Sequence, residues 1–236
     1  MTRVAVTGAS GLVGNALCPA LVAAGHQVVK LVRRAPAGPD EVRWAPERHE
    51  LDPAALGPVD VAVHLAGENV GDGRWTDARK AAIRGSRVDG TRTLVSALCR
   101  LEPRPAALVS ASAIGYYGAH GDEELDESAA PGSDFLAEVC QAGEAETEPA
   151  RAAGLRVARL RLGVVLSPDG GALPKLLTPF KLGVGGKIGG GQQWMSWVGL
   201  DDVVAAFVRA VGDAALDGPI NVTAPVPVTQ AELAKT

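Results

Sequence analysis

Cysteine is scarce in this chain. Cys18, Cys99 and Cys140 are three in 236 residues, far apart and set in apolar or helix-forming stretches. That excludes a disulfide framework and a cysteine-built metal site, and it leaves buried free thiols of the kind expected in a reducing, cytoplasmic compartment. His26, His49, His64 and His120 are scattered without ligand spacing, so no metal centre is expected. A basic excess is also lacking. Lys and Arg number 23 against 27 Asp and Glu, a net charge of −4, so there is no electrostatic footprint for nucleic acid. No apolar run approaches the length of a membrane span. The first strand is expected within three residues of Met1, which leaves no room for a signal peptide. Aromatics are only 4% of the residues, and Tyr116 and Tyr117 are the only tyrosines, which narrows any search for a phenolic acid. No repeat or low-complexity block interrupts the chain.

Glycine is abundant, and its placement carries the first positive signal. Val4-Ala5-Val6-Thr7-Gly8-Ala9-Ser10-Gly11-Leu12-Val13-Gly14 is a β-branched run, a glycine turn and an apolar helix start. Gly8 suits a tight turn, Gly11 lets a pyrophosphate approach the backbone, and Gly14 lets the helix lie close on the sheet. The helix start adds free N–H groups and the positive end of a dipole, which suits a phosphate.

With 47% hydrophobic residues the chain can build one large domain or one domain with a small appendage. Helices are expected at 12–24 (with Pro19 inside it), 51–56, 77–100, 133–153 and 201–211. Strands are expected at 28–32, around 42–44, at 59–67, 106–110, 155–166 and 220–222. Apolar strands alternating with helices imply an α/β, Rossmann-like, doubly wound parallel sheet covered on both faces. Beyond Ser167 the chain is punctuated by Gly170-Gly171, Pro174 and Pro179, and then by the glycine-dense stretch from Gly183 to Gly191 next to Trp194 and Trp197. That stretch reads as a wall over a pocket. The expected organisation is a cofactor domain over 1–166 and a small C-terminal substrate lobe over 167–236, interleaved with the last strand and helix of the sheet.

An acid that binds an NAD ribose is expected about 20 residues past the glycines, at the end of the second strand. Val32-Arg33-Arg34 stands there instead. Two guanidiniums suit a 2′-phosphate, so NADP(H) is expected over NAD(H).

Thr7-Gly8-x-x-Gly11-x-x-Gly14 resembles the turn of the short-chain dehydrogenase/reductase superfamily. His64-Leu65-Ala66-Gly67 resembles its motif after the fourth strand. Arg87-Val88-Asp89-Gly90-Thr91 resembles the Asn-x-x-Gly-Thr motif of the extended, epimerase-like branch, with arginine for asparagine. Gly67-Glu68-Asn69-Val70, Gly85-Ser86-Arg87, the Ser110–Gly118 stretch and Gly191-Gln192-Gln193-Trp194-Met195-Ser196-Trp197 resemble an epimerase-like oxidoreductase family once labelled a cell-division inhibitor. The resemblance spans nearly the whole chain. It implies a bound NADP, a small-molecule substrate and a chain that continues past Thr236. Membrane and nucleic acid are not expected as partners, and a homo-oligomer is allowed. Candidate cofactor contacts are Gly8, Ser10, Gly11, Leu12 and Val13, then Arg33 and Arg34, Leu65, Ala66, Gly67 and Glu68, and finally Arg87, Ser110 and Gly163.

The superfamily's reductases use Tyr-x-x-x-Lys as a proton relay. Here the corresponding pair is Leu136 and Cys140, or Phe135 and Val139, and the relay is gone. Ser112 is a candidate catalytic hydroxyl, weighed evenly against a strand-end cap. Tyr117, with its neighbour Tyr116, is the other candidate acid. Three functions follow as expectations. One is an NADP(H)-dependent, epimerase-like oxidoreductase of a small carbonyl or alcohol. Another is a non-catalytic NADP(H)-binding redox sensor or scaffold. The third is a nucleotide-sugar epimerase or dehydratase.

Overall fold

The computed structural model describes residues 1–183, 185–187 and 189–235. Among these, the strands in chain order are β1 (Arg3–Thr7), β2 (Gln27–Val32), β3 (Glu41–Arg43), β4 (Val61–His64), β5 (Ala107–Ala113), β6 (Arg156–Leu162), β7 (Val164–Ser167), β8 (Gly170–Gly171), β9 (Trp194–Met195), β10 (Trp197–Gly199), β11 (Gly218–Val222) and β12 (Val228–Thr229). The helices are α1 (Leu12–Ala23), α2 (Pro53–Leu56), α3 (Asp77–Leu98), α4 (Phe135–Ala145), α5 (Glu148–Ala152), α6 (Ala172–Lys181), α7 (Leu200–Gly212) and α8 (Gln230–Leu233).

Seven strands make one sheet in the order β3-β2-β1-β4-β5-β6-β11, parallel throughout. The order reverses at β1, so a crevice opens beyond the carboxyl ends of β1 and β4, the switch point where such sheets bind ligands. Each face buries its own core. Val4, Val6, Val63, Val109 and Leu160 pack under α1 and α7 around Leu17, Leu21 and Phe207. Ala5, Val29, Ala62, Leu108 and Val157 pack under α3 and α5 around Leu94, Val95 and Leu98.

Toward the carboxyl ends the second face turns polar. Thr7, His64, Ser110 and Arg159 are in register across β1, β4, β5 and β6, and Ser112, Arg161 and Asn221 across β5, β6 and β11. Residues paired across a sheet project to the same side, so these rows share a face.

Three expected elements differ. The helix over 133–153 is two helices, α4 and α5, because Pro149 has no N–H to continue the first. The strand over 155–166 divides at Gly163, whose N–H stays with Val222 O (3.0 Å) while Val164 N turns to Ser196 O (2.8 Å). A Cβ on Gly163 would lie 2.7 Å from Ser196 O, so this crossing requires glycine. The stretch expected to be broken after Ser167 contains α6. Pro174 falls in its first turn, where no intrahelical N–H is needed, and Pro179 lies near its end. Helix α1 runs through Pro19 without ending. Val184 and Ile188 of the expected glycine-rich wall lie outside the described residues, as does Thr236.

Candidate functional site

The glycine turn has the three-part geometry its spacing implies. Gly8 has φ +69°, and a Cβ there would lie 2.7 Å from the Leu65 carbonyl carbon. On Gly14 it would lie 2.2 Å from Gly8 O, so helix and turn touch backbone to backbone. On Gly11 it would meet only Gly8 O, at 3.4 Å, and otherwise project into open space. Two glycines are thus required by packing and the third leaves a cradle open. Gly11 caps α1 without a side-chain hydrogen bond, so the Leu12 and Val13 N–H groups remain available to an anion. These residues fit the pyrophosphate of a dinucleotide.

Thr7 ties the two strands of the switch point together. Its Oγ1 accepts from Leu65 N (3.1 Å) and Ala66 N (3.2 Å) and lies 2.7 Å from His64 Nδ1. With both N–H groups donating to it, the hydroxyl gives its own proton to Nδ1, which assigns the ring proton to Nε2. Burial holds the His64 pKa down to about 4, with Arg87 adding to the effect, so the ring is neutral.

A cleft of about 1340 Å³ runs along this edge. It is lined by Gly8, Ser10 and Gly11, by Arg33 and Arg34 at the end of β2, and by Leu65, Ala66, Gly67 and Glu68 after β4. Nine of the fourteen candidate cofactor residues therefore share one cleft. Leu12, Val13, Arg87, Ser110 and Gly163 are not among its lining residues. Ser110 is buried between His64 and Arg159 in the polar row.

The two arginines differ. Arg34 grips Glu41 with Nη1 to Oε2 at 2.7 Å and Nη2 to Oε1 at 2.6 Å. The hydrogen bond from Arg34, helped by Ala37 N, holds the Glu41 pKa down to about 2. Arg33 is exposed and has no hydrogen-bond or ion-pair partner among the described residues. Both arginines line the cleft, Arg34 engaged by a carboxylate and Arg33 unengaged among the described residues.

Ser112 and Tyr117 enter a buried network that sequence reasoning did not foresee. Ser112 Oγ donates to Glu144 Oε1 (2.6 Å). Arg161 meets the same carboxylate with two bonds of 2.9 Å, Nε to Oε1 and Nη2 to Oε2. Its Nη1 donates to Tyr117 Oη (2.9 Å), and Tyr117 Oη donates to Asn221 Oδ1 (2.7 Å). The Tyr116 ring lies under the guanidinium, 3.4 Å from Cζ to centroid. Only 4% of the Arg161 side chain and 8% of the Glu144 side chain are exposed. Burial opposes the Arg161 charge, but the hydrogen bonds to Glu144 and Tyr117 outweigh it and its pKa rises. The Tyr117 ring is buried, and its hydroxyl proton is directed at Asn221.

Glu144, Arg161 and Asn221 left one signal in the sequence. Arg156, Arg159 and Arg161 punctuate a strand whose other residues are apolar and bound for the interior, where a charge needs a partner. The acidic run 122–127 also has attachments. Asp122 accepts from Trp194 Nε1 (2.6 Å) and Glu127 Oε1 from Asn221 N (2.7 Å). Trp75 packs edge-on to Phe135 at 5.5 Å and donates to Val70 O. No group of three or more metal-ligating side chains occurs among the described residues.

A parallel sheet, its switch-point crevice and an open glycine cradle together define a dinucleotide-binding α/β protein of the Rossmann type. A family model described as "NAD dependent epimerase/dehydratase family" matches residues 4–222. The chain belongs to that family. It is 46% identical over 229 residues to an epimerase family protein of Mycobacterium bovis, covering 97% of this chain and 75% of the relative. Among solved structures, the nucleoside-diphosphate sugar epimerase from Corynebacterium glutamicum is 44% identical with a TM-score of 0.88. That likeness covers 99% of this chain but 49% of the other, so this chain spans about half of its length. The human epimerase family protein SDR39U1 (isoform2) with NADPH is 32% identical with a TM-score of 0.84, over 99% of this chain and 78% of that one. No described helix is long and apolar enough to cross a membrane.

Proposed function

We propose that the chain binds NADP(H) and works as an oxidoreductase on a small carbonyl or alcohol. The observation that carries the cofactor choice is the unequal pair at the end of β2. Arg34 neutralises Glu41, the nearby acid that could otherwise face a ribose, while Arg33 stands free for a 2′-phosphate. The human relative's NADPH supports the same choice. The nicotinamide, when bound, supplies or accepts the hydride. The protein's part is to hold the pyrophosphate on the Gly11 cradle, wall the crevice with the 65–68 segment, and offer the half-buried Ser112 near the end of β5.

A second reading, an NADP(H)-binding sensor or scaffold, is favoured by a specific observation. The protons of Ser112 and Tyr117 are both committed within the protein, and Cys140, one of the positions where the relay lysine would stand, carries a thiol whose pKa burial pushes up. The nucleotide-sugar reading is supported by a relative's name and not by an acid–base pair in this chain.

The test measures NADPH and NADH affinity for the native chain, Arg33→Ala and Arg34→Ala, alongside NADPH consumption at ~340 nm with a panel of aldehydes and ketones. We expect NADPH to bind more tightly than NADH, and Arg33→Ala to erase that preference by about tenfold or more, the scale of one charge-assisted phosphate contact. Equal affinity for both cofactors would defeat the NADP assignment. Tight NADPH binding with no turnover across the panel would favour the sensor.

A further inference from the structure

Ser112 has one hydroxyl proton, and its place is fixed by α4. Its Oγ donates at 2.6 Å to Glu144 Oε1, and the same carboxylate takes Nε and Nη2 of Arg161. Paired with the guanidinium, that carboxylate is an anion with lone pairs only and has no proton to return. Toward any other group the Ser112 hydroxyl is therefore an acceptor. Cys140, one turn before Glu144 on α4, lies within hydrogen-bonding reach of the same hydroxyl. Burial pushes its pKa up, so it remains a neutral thiol, a weak donor that does not compete with the carboxylate for the serine proton.

The strand register sets what Ser112 can meet. Strand β4 ends at His64, which pairs with Ser110, while β6 runs on beside Ser112 through Arg161 and Leu162. Past His64 the neighbouring chain is the 65–68 segment that walls the cofactor cleft. Ser110 is 5% exposed, whereas Ser112, two residues further along the same face, is only half-buried. Ser112 thus stands at the carboxyl edge of the sheet, where doubly wound sheets receive their ligands.

We propose that Glu144 is a positioning residue: by holding the Ser112 proton it fixes Ser112 Oγ as an acceptor, so that the crevice selects a substrate hydroxyl over the matching carbonyl. This rests on the carbonyl-or-alcohol reading above and narrows it to the alcohol as the form bound. A serine that polarises a carbonyl must donate to it, and here the polarity is reversed. A hydroxyl has a proton to give to Oγ. A carbonyl oxygen has none, so it would set lone pairs against lone pairs and leave the hydrogen bond unmade. Sites that pair with a substrate hydroxyl discriminate strongly against the analogue that cannot make the bond.

Nuclear magnetic resonance of the native chain tests the polarity first. A serine proton held on a buried carboxylate exchanges slowly with water, so we expect a hydroxyl resonance that Ser112→Ala lacks. Matched probes then test the selection: 2-propanol against acetone, and cyclohexanol against cyclohexanone. They are titrated into the free protein, where no hydride donor is present, and followed at the Ser112 amide. Each alcohol should bind about fivefold or more tightly than its ketone, and Ser112→Ala should erase the difference. The double variant Glu144→Leu with Arg161→Met removes the acceptor without stranding a charge. It should lose both the hydroxyl resonance and the preference, which a purely structural role for Glu144 would leave intact. If the double variant does not fold, the native resonance and Ser112→Ala decide. Equal affinity for alcohol and ketone, a preference for ketone, or an amide unmoved by any probe would overturn the proposal. So would an alcohol preference that survives in the folded double variant. A native chain that selects the alcohols but fails to bind NADPH would end the oxidoreductase reading and uphold the polarity of Ser112.

Discussion

Ser112 donates a 2.6 Å hydrogen bond to Glu144, 32 residues further along the chain, and that carboxylate is held from its other side by Arg161. The pair is buried, so removing one partner strands a charge. Glu144→Gln or Arg161→Met should cost about 3–5 kcal/mol, whereas Ser112→Ala, which leaves the pair intact, should cost about 1 kcal/mol. Urea unfolding of the three variants checks the ranking. Equal, small losses would show the pair to be solvated.

Tyr117→Phe should act on stability and leave cofactor affinity alone. It strips a partner from Arg161 Nη1 and from Asn221 Oδ1, at about 1–3 kcal/mol. NADPH titration beside thermal unfolding reads both. Weaker NADPH binding with unchanged stability would contradict this and place Tyr117 against the cofactor.

Gly11→Ala and Gly14→Ala should fail in different ways. The first places its methyl in the open cradle, so folding stability stays near native while NADPH affinity falls by about tenfold or more. The second drives a methyl to within 2.2 Å of Gly8 O, and something in the turn must shift. Its expected result is lost stability as well as lost binding. Native-like stability for Gly14→Ala would contradict the contact.

His64 should give stability a pH dependence of known sign. Its folded pKa of about 4 lies below the 6.5 of the free side chain, so the unfolded chain takes the proton first. The neutral ring's contribution is complete above pH 6.5 and is lost as the pH falls toward 4, at up to about 1.4 kcal/mol per unit. Across pH 7.5 to 4.5 the native protein should therefore lose stability relative to His64→Asn. A constant difference between them would mean that His64 titrates normally.

What sequence made legible was whatever is written in consecutive residues. The β1–turn–α1 unit and the parallel sheet follow from local spacing, and the structure agrees. The Ser112–Glu144–Arg161–Asn221 cluster was not legible, because its members come from β5, α4, β6 and β11 and meet only through sheet register. The same applies to Arg34. Its pairing with Glu41 depends on β3 folding back beside β2, which the dipeptide Arg33-Arg34 does not encode. Pro149 was visible, but whether it would end one helix or begin another depended on how α4 closes at Glu146.

The Glu144–Arg161 pair also has a mechanical consequence. Apolar helix–sheet contacts are nearly indifferent to a small slide, since one methyl replaces another. A two-pronged ion pair with a serine on its flank has one alignment, and shifting α4 by a single turn would break three hydrogen bonds at once. Helix α4 is thus pinned in translation against β5 and β6. The 67–76 loop leans on that pinned helix through Trp75 against Phe135, and it holds α6 in turn through Asp72 and Lys175.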